Sequence, residues 1–161
     1  MAKSTPDTIY GYTNAPHRIT GSAVGDWGTA GNAYKTMTQA IGALAAKGFD
    51  GPFTVYVATT QFNQLLNLLG SVNDYNELTV IQRQLPMIKA VKRSFTLANE
   101  NMVMVQMTDQ VVDLAVAEDI TPVQWDDMGG MLTHFRVMAA LAPRIKFDSN
   151  LACGVLHYTG C

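Results

Sequence analysis

The chain has 161 residues and a formal net charge of −2, with 48% hydrophobic against 15% charged residues. That length allows one domain with a sizeable core. The near-neutral charge gives no overall footprint for gripping nucleic acid, and no run approaches the roughly 18 apolar residues of a membrane span. Its polar start, MAKSTPDT, lacks a signal-peptide core. So many apolar residues imply a surface that is unusually apolar or largely covered, as in a subunit that finishes burying itself against neighbours, or else a monomer with a generous core; composition alone does not choose between them. The two cysteines, Cys153 and Cys161, are too few for a disulfide framework and lack metal-site spacing. Cys161 reads as a free reactive thiol or a cloning scar.

Residues 1–8 read as a leader. A short extended segment follows over Ile9–Asn14, and then a glycine-spaced loop, GSAVGDWGTAGN, that fits neither GxGxxG nor the Walker pattern. Trp27 in that loop is expected to anchor packing. Ala33, Tyr34, Met37, Ala40, Ile41, Leu44 and Ala45 recur at spacings of three and four, the stripe of an amphipathic helix. Asn32 is expected as its N-cap and Gly48 as its C-cap. FTVYVA, Phe53–Ala58, is β-branched and aromatic and predicts a strand. Thr59 or Thr60 then caps a helix with Phe62, Leu65, Leu66 and Leu69 on its apolar face, and a third helix runs from Glu77 to about Leu85, stopped by Pro86.

Beyond Pro86 the period changes to two. Strands are expected over Met87–Val91, Met102–Met107, Val111–Ala117, Thr121–Trp125, Met131–Ile145 and Gly154–Tyr158, with a turn at Gly129-Gly130. MVMVQM is apolar on both faces and should lie centrally in a sheet covered on both sides. The Met131–Ile145 strand exceeds the usual length of about ten residues, as in an elongated protein spanning an assembly. Helix and strand first, then a run of strands, reads as an α+β fold.

Candidate chemistry is sparse. Glu118-Asp119 and Asp126-Asp127 are paired carboxylates, but sequence neighbours on a strand point to opposite faces. Cys153 and His157 share one face of a strand and offer a Cys–His couple without an orienting group. The histidines, His17, His134 and His157, are too scattered for a metal clamp. No enzyme activity, cofactor or metal is expected; a small hydrolase using Cys153/His157 or a carboxylate pair is the alternative from another class.

The order IYGYTN, AAKGFDGPFTVYVATTQFNQLL, MVMVQMTDQVVDLAVAEDITPVQW and HFRVMAALAPRIKFDSNLACGVLHYTG, from about Ile9 to Tyr158, resembles the later part of a tailed-phage major capsid protein of the Hong Kong 97-like fold, which encapsulin nanocompartments share. The resemblance implies a structural subunit that assembles with copies of itself into pentamers and hexamers of an icosahedral shell. Such a shell encloses the viral genome without sequence-specific binding, touches no membrane, is assembled in the host cytoplasm and ends in the virion; an encapsulin-like compartment around protein cargo is the alternative. It further implies a peripheral segment over 9–58, an axial domain over 59–110 and a return to the peripheral domain over 111–161. Ser71, Asn73, Asp74 and Tyr75 would then lie near a symmetry axis. The family's N-terminal arm, extended loop and spine helix match no segment of this sequence, and no cross-linking lysine is carried over.

Overall fold

A computed structural model describes residues 10–68 and 75–161. In chain order the elements are β1 (Ile19–Ser22), α1 (Asn32–Ala45), β2 (Phe53–Ala58), α2 (Thr59–Leu65), α3 (Glu77–Gln84), β3 (Ile88–Ser94), β4 (Asn101–Gln106), β5 (Val112–Asp127), a 3-10 turn over Met128–Gly130, β6 (Leu132–Ile145) and β7 (Val155–Thr159). Five strands form one sheet in the order β1-β7-β4-β2-β3, while β5 and β6 pair only with each other. The fold is α+β, as the change of period implies.

Both faces of the five-stranded sheet are covered, as the doubly apolar β4 requires. Met102 and Met104 face Met37, Ala40 and Leu44 of α1, with Leu65 of α2 and Ile81 of α3 in the same cluster. Val103 and Val105 face the other way, into a smaller cluster with Val111, Cys153 and Val155 that Tyr12, Phe49 and Leu97 partly cover. Trp27 is buried in the helical-side core, as an anchor. No break in packing falls between Ala58 and Thr59, because β2 runs directly into α2 and both contribute to one core.

Several local expectations change. Tyr12–Asn14 form a turn and not an extended segment, closed by the Gly11 N–H donating to Asn14 Oδ1 at 2.6 Å. Part of the glycine-spaced loop is strand β1, where Gly21 lets the Tyr158 ring lie close: a Cβ there would meet Tyr158 Cε1 at 2.7 Å. The N-cap of α1 is Gly31, in a left-handed conformation, because the Asn32 side chain instead donates to the Asp26 carbonyl. Gly48 does take the left-handed φ of 86° that ends this helix, with the Phe49 N–H donating to the Leu44 carbonyl. Ile41 is only half-buried, and Thr36 takes a place in the core; its hydroxyl donates to the Asn32 carbonyl and accepts from the Val24 N–H.

Helix α2 is capped by Ala58 without a side-chain bond and stops at Leu65, so Thr59 lies inside the helix and Leu66 is exposed. Leu69 lies outside the described residues. Helix α3 starts on Asn76, whose Oδ1 accepts from the Thr79 N–H at 2.8 Å. Its first residue, Glu77, is buried, and Oε1 accepts from the Tyr34 N–H at 2.8 Å. This carboxylate thereby satisfies a free N–H in the first turn of α1.

Candidate assembly surface

The two strands expected over Val111–Ala117 and Thr121–Trp125 are one, β5, interrupted only by register shifts between Val116 and Thr121. With 16 residues in β5 and 14 in β6, the hairpin extends about 45 Å at the usual rise per residue. The turn uses left-handed conformations at Met128, Gly129 and Gly130, and Asp127 Oδ1 accepts from the Met128 N–H. At the base, Asp113 holds Arg144 through two hydrogen bonds and also pairs with Lys146 at 2.7 Å. Those hydrogen bonds, from Arg144 first and then Lys146, hold the Asp113 carboxyl well below the usual carboxylate range.

Cross-strand pairing sorts the hairpin's faces. Phe135 opposes Gln124, Val137 opposes Pro122, Leu141 opposes Val116 and Pro143 opposes Leu114, so these residues share one side. The large apolar groups of that side are open to solvent: Phe135 is 73% exposed and Val137 69%. The stripe runs to the hairpin base, where Val112, Pro143 and Ile145 meet Tyr10 and Tyr12 around a cavity of about 250 Å³. The opposite side is mixed, with Trp125 stacked on His134 at 5.1 Å and Met138 beside Arg136. An isolated two-stranded hairpin is marginal in water at best, and an apolar stripe of this length marks an interface.

The chemistry considered from sequence is not brought together. Asp126 accepts from the Thr133 hydroxyl at 2.7 Å, Asp127 caps the turn, and Asp119 accepts from the Ile120 N–H. All four carboxylates of the two pairs lie on the exposed hairpin. Cys153 is buried, which pushes its thiol up, and its Sγ contacts the Val155 carbonyl. His157 bonds instead to Asn101 Oδ1 at 3.2 Å, and burial lowers its pKa. The two form no nucleophile–base pair. Cys161 is buried rather than reactive: burial, then the charge of Glu100, push its thiol up to about 12. Among the described residues no three His, Cys, Asp or Glu side chains are grouped to hold a metal ion.

Of the residues expected at a symmetry axis, Ser71, Asn73 and Asp74 lie outside the described residues. Tyr75 is exposed, with the Arg83 guanidinium 5.1 Å from its ring centroid. The exposed β5–β6 stripe, which the sequence reading did not single out, is the more extensive surface. Its signal was present in the alternation of Phe135, Val137 and Leu141, but alternation alone does not say which face is covered.

The five-stranded sheet, its helices and the β5–β6 hairpin together make a Hong Kong 97-like fold, as the solved structures similar to it show. A family profile described as "Encapsulating protein for peroxidase" matches residues 9–142, and the chain belongs to that family. Three solved structures share the fold. The virus-like particle from Pyrococcus furiosus is 16% identical with a TM-score of 0.67, over 91% of this chain and 58% of that one. The capsid of Myoviridae Phage XM1 is 13% identical with a TM-score of 0.68, over 89% and 51%. Mycobacterium phage Che8 is 13% identical with a TM-score of 0.57, over 89% and 53%. The chain therefore spans between half and three-fifths of the length of these relatives. No curated protein sequence matches it.

Proposed function

We propose that this chain is a structural subunit of a closed protein shell, joined to copies of itself in pentamers and hexamers and without catalytic chemistry of its own. The observation that carries this reading is the apolar face of the β5–β6 hairpin, open from Phe135 to the Tyr12 cavity. Family membership and the likeness to a virus-like particle and a phage capsid support it. In this reading the five-stranded body makes the axial contacts and the hairpin the peripheral ones. Residues 59–110 stay axial, and β1, α1, β2 and β7 join them because they share the core.

The likeness to two phage structures supports an enclosed viral genome, held without sequence-specific binding in a virion assembled in the host cytoplasm. The family's description supports protein cargo instead. Nucleic acid or a companion protein copurifying with assembled particles distinguishes these contents.

In this proposal Ser71, Asn73, Asp74 and Tyr75 belong near a rotational axis between copies. Sedimentation velocity on the purified chain should show association that grows with concentration, and Asn73→Cys should cross-link the associated copies on oxidation. A strictly monomeric chain at every concentration would overturn the shell reading. Association without any cross-link would remove the loop from the axis.

A further inference from the structure

The charges of this chain are segregated along its length. From Leu78 to Asn99 it carries four cations, Arg83, Lys89, Lys92 and Arg93, and no acid. From Glu100 to Phe135 it carries seven acids and no lysine or arginine. The fold puts the first group at the end of α3 and along β3, an outer strand of the five-stranded sheet, and most of the second along β5, an outer strand of the hairpin. All four cations are exposed, as are Glu118, Asp119, Asp126 and Asp127. Among the described residues the ion pairs are those of Asp113 with Arg144 and Lys146, so the four cations and Glu118, Asp119, Asp126 and Asp127 have no ion-pair partner among those residues.

We propose that copies join head to tail, with the basic edge of β3 in one copy laid against the acidic edge of β5 in the next; this rests on the shell-forming reading above. Among the described residues both strands have one edge without a partner strand, so each leaves main-chain N–H and C=O groups open for strand addition. Charge then selects the pairing. Two β3 edges repel each other, as do two β5 edges, and only the unlike pair attracts. That excludes the isologous contact and leaves the heterologous one, which closes into rings when the rotation allows.

Each exposed ion pair is weak by itself. A stripe of them sets register, orientation and the rate of encounter, while the open main-chain edges supply affinity. Apolar groups accompany the charges on both sides. Phe95 is 79% exposed just past β3, with the Arg93 guanidinium 4.7 Å from its ring centroid, and Ile120 is 68% exposed on β5.

The test is a charge swap on the full chain. K89E/K92E and E118K/D119K are purified separately, checked by circular dichroism and followed by sedimentation velocity across a salt series. Association of the unaltered chain should weaken as salt rises. Each variant alone should associate more weakly, on the order of tenfold or more, and an equal mixture of the two should recover association because each supplies the sign the other lacks. If K89E/K92E does not reach the native fold, K89Q/K92Q takes its place with the same direction expected. Unchanged association of both variants, or folded variants that fail to recover on mixing, would overturn this contact and leave the shell reading standing. An unaltered chain that never associates would overturn both. A short single-stranded oligonucleotide bound by the chain and lost in K89E/K92E, with association unchanged, would assign the basic edge to nucleic acid and overturn the proposal.

Discussion

Glu77 shows how one side chain ties distant parts of the body together. It opens α3 and satisfies the Tyr34 N–H of α1 across 43 positions of sequence, from a site only 3% exposed. Truncation leaves that N–H without its partner in a low-dielectric setting, where a lost charge-assisted bond costs more than a neutral one. Glu77→Ala should lower stability by about 1–3 kcal/mol, read from thermal melts, and Glu77→Gln should recover part of the loss because its amide oxygen still accepts. A melt unchanged by Glu77→Ala would show that water replaces the carboxylate. Nothing in the sequence announced this bond. Glu77 reads as an ordinary acid in a first helical turn, and its partner is the backbone of another helix.

Elements were legible where local and tertiary preferences agree. Strand β2 has the bounds its β-branched and aromatic run predicts, and β4 is central and covered on both faces. Helix α3 ends before Pro86 as ring geometry demands. Strand β1 was hidden, because ITGS has four residues, no apolar alternation and a glycine, and becomes a strand only by pairing in parallel with β7. The break read between Ala117 and Thr121 was a bulged stretch of one continuous strand, since charged Glu118 and Asp119 look like a turn when the opposing strand is unseen. The hairpin's alternation was visible, whereas its exposed face was not. That face gives a direct test: Phe135→Ser with Val137→Ser should leave the melting temperature of the body nearly unchanged while weakening association. A large loss of stability in the dispersed chain would mean that these residues pack within their own subunit.

At the scale of the whole molecule, the two cysteines report on cooperativity. Cys153 belongs to the smaller cluster and Cys161 to the helical-side core, on opposite faces of the sheet, and both are buried. Burial raises both thiols, so the reactive thiolate is disfavoured in the native state and returns on unfolding as the pKa falls back to its usual range. A thiol reagent at mildly alkaline pH should label neither cysteine in the native chain and both in denaturant. Under conditions between these, the two should react at one common rate if the sheet opens as a unit. Two well-separated rates would show that the faces of the sheet open independently.

The position of β7 in the sheet has a consequence for biosynthesis. It is the final strand in sequence yet lies between β1 and β4, and Ile19 waits for Leu156 while Val103 waits for His157. Until β7 leaves the ribosome, β1 has no strand beside it and β4 presents an unpaired edge rich in Met and Val. Closing loops this long is slow relative to forming helices, so the nascent chain passes through a stage with an open apolar edge. The same order works as a timing device. The hairpin emerges before β7 but has no finished body to anchor it, so in the shell-forming reading proposed above docking between copies is deferred until each subunit has closed its own sheet.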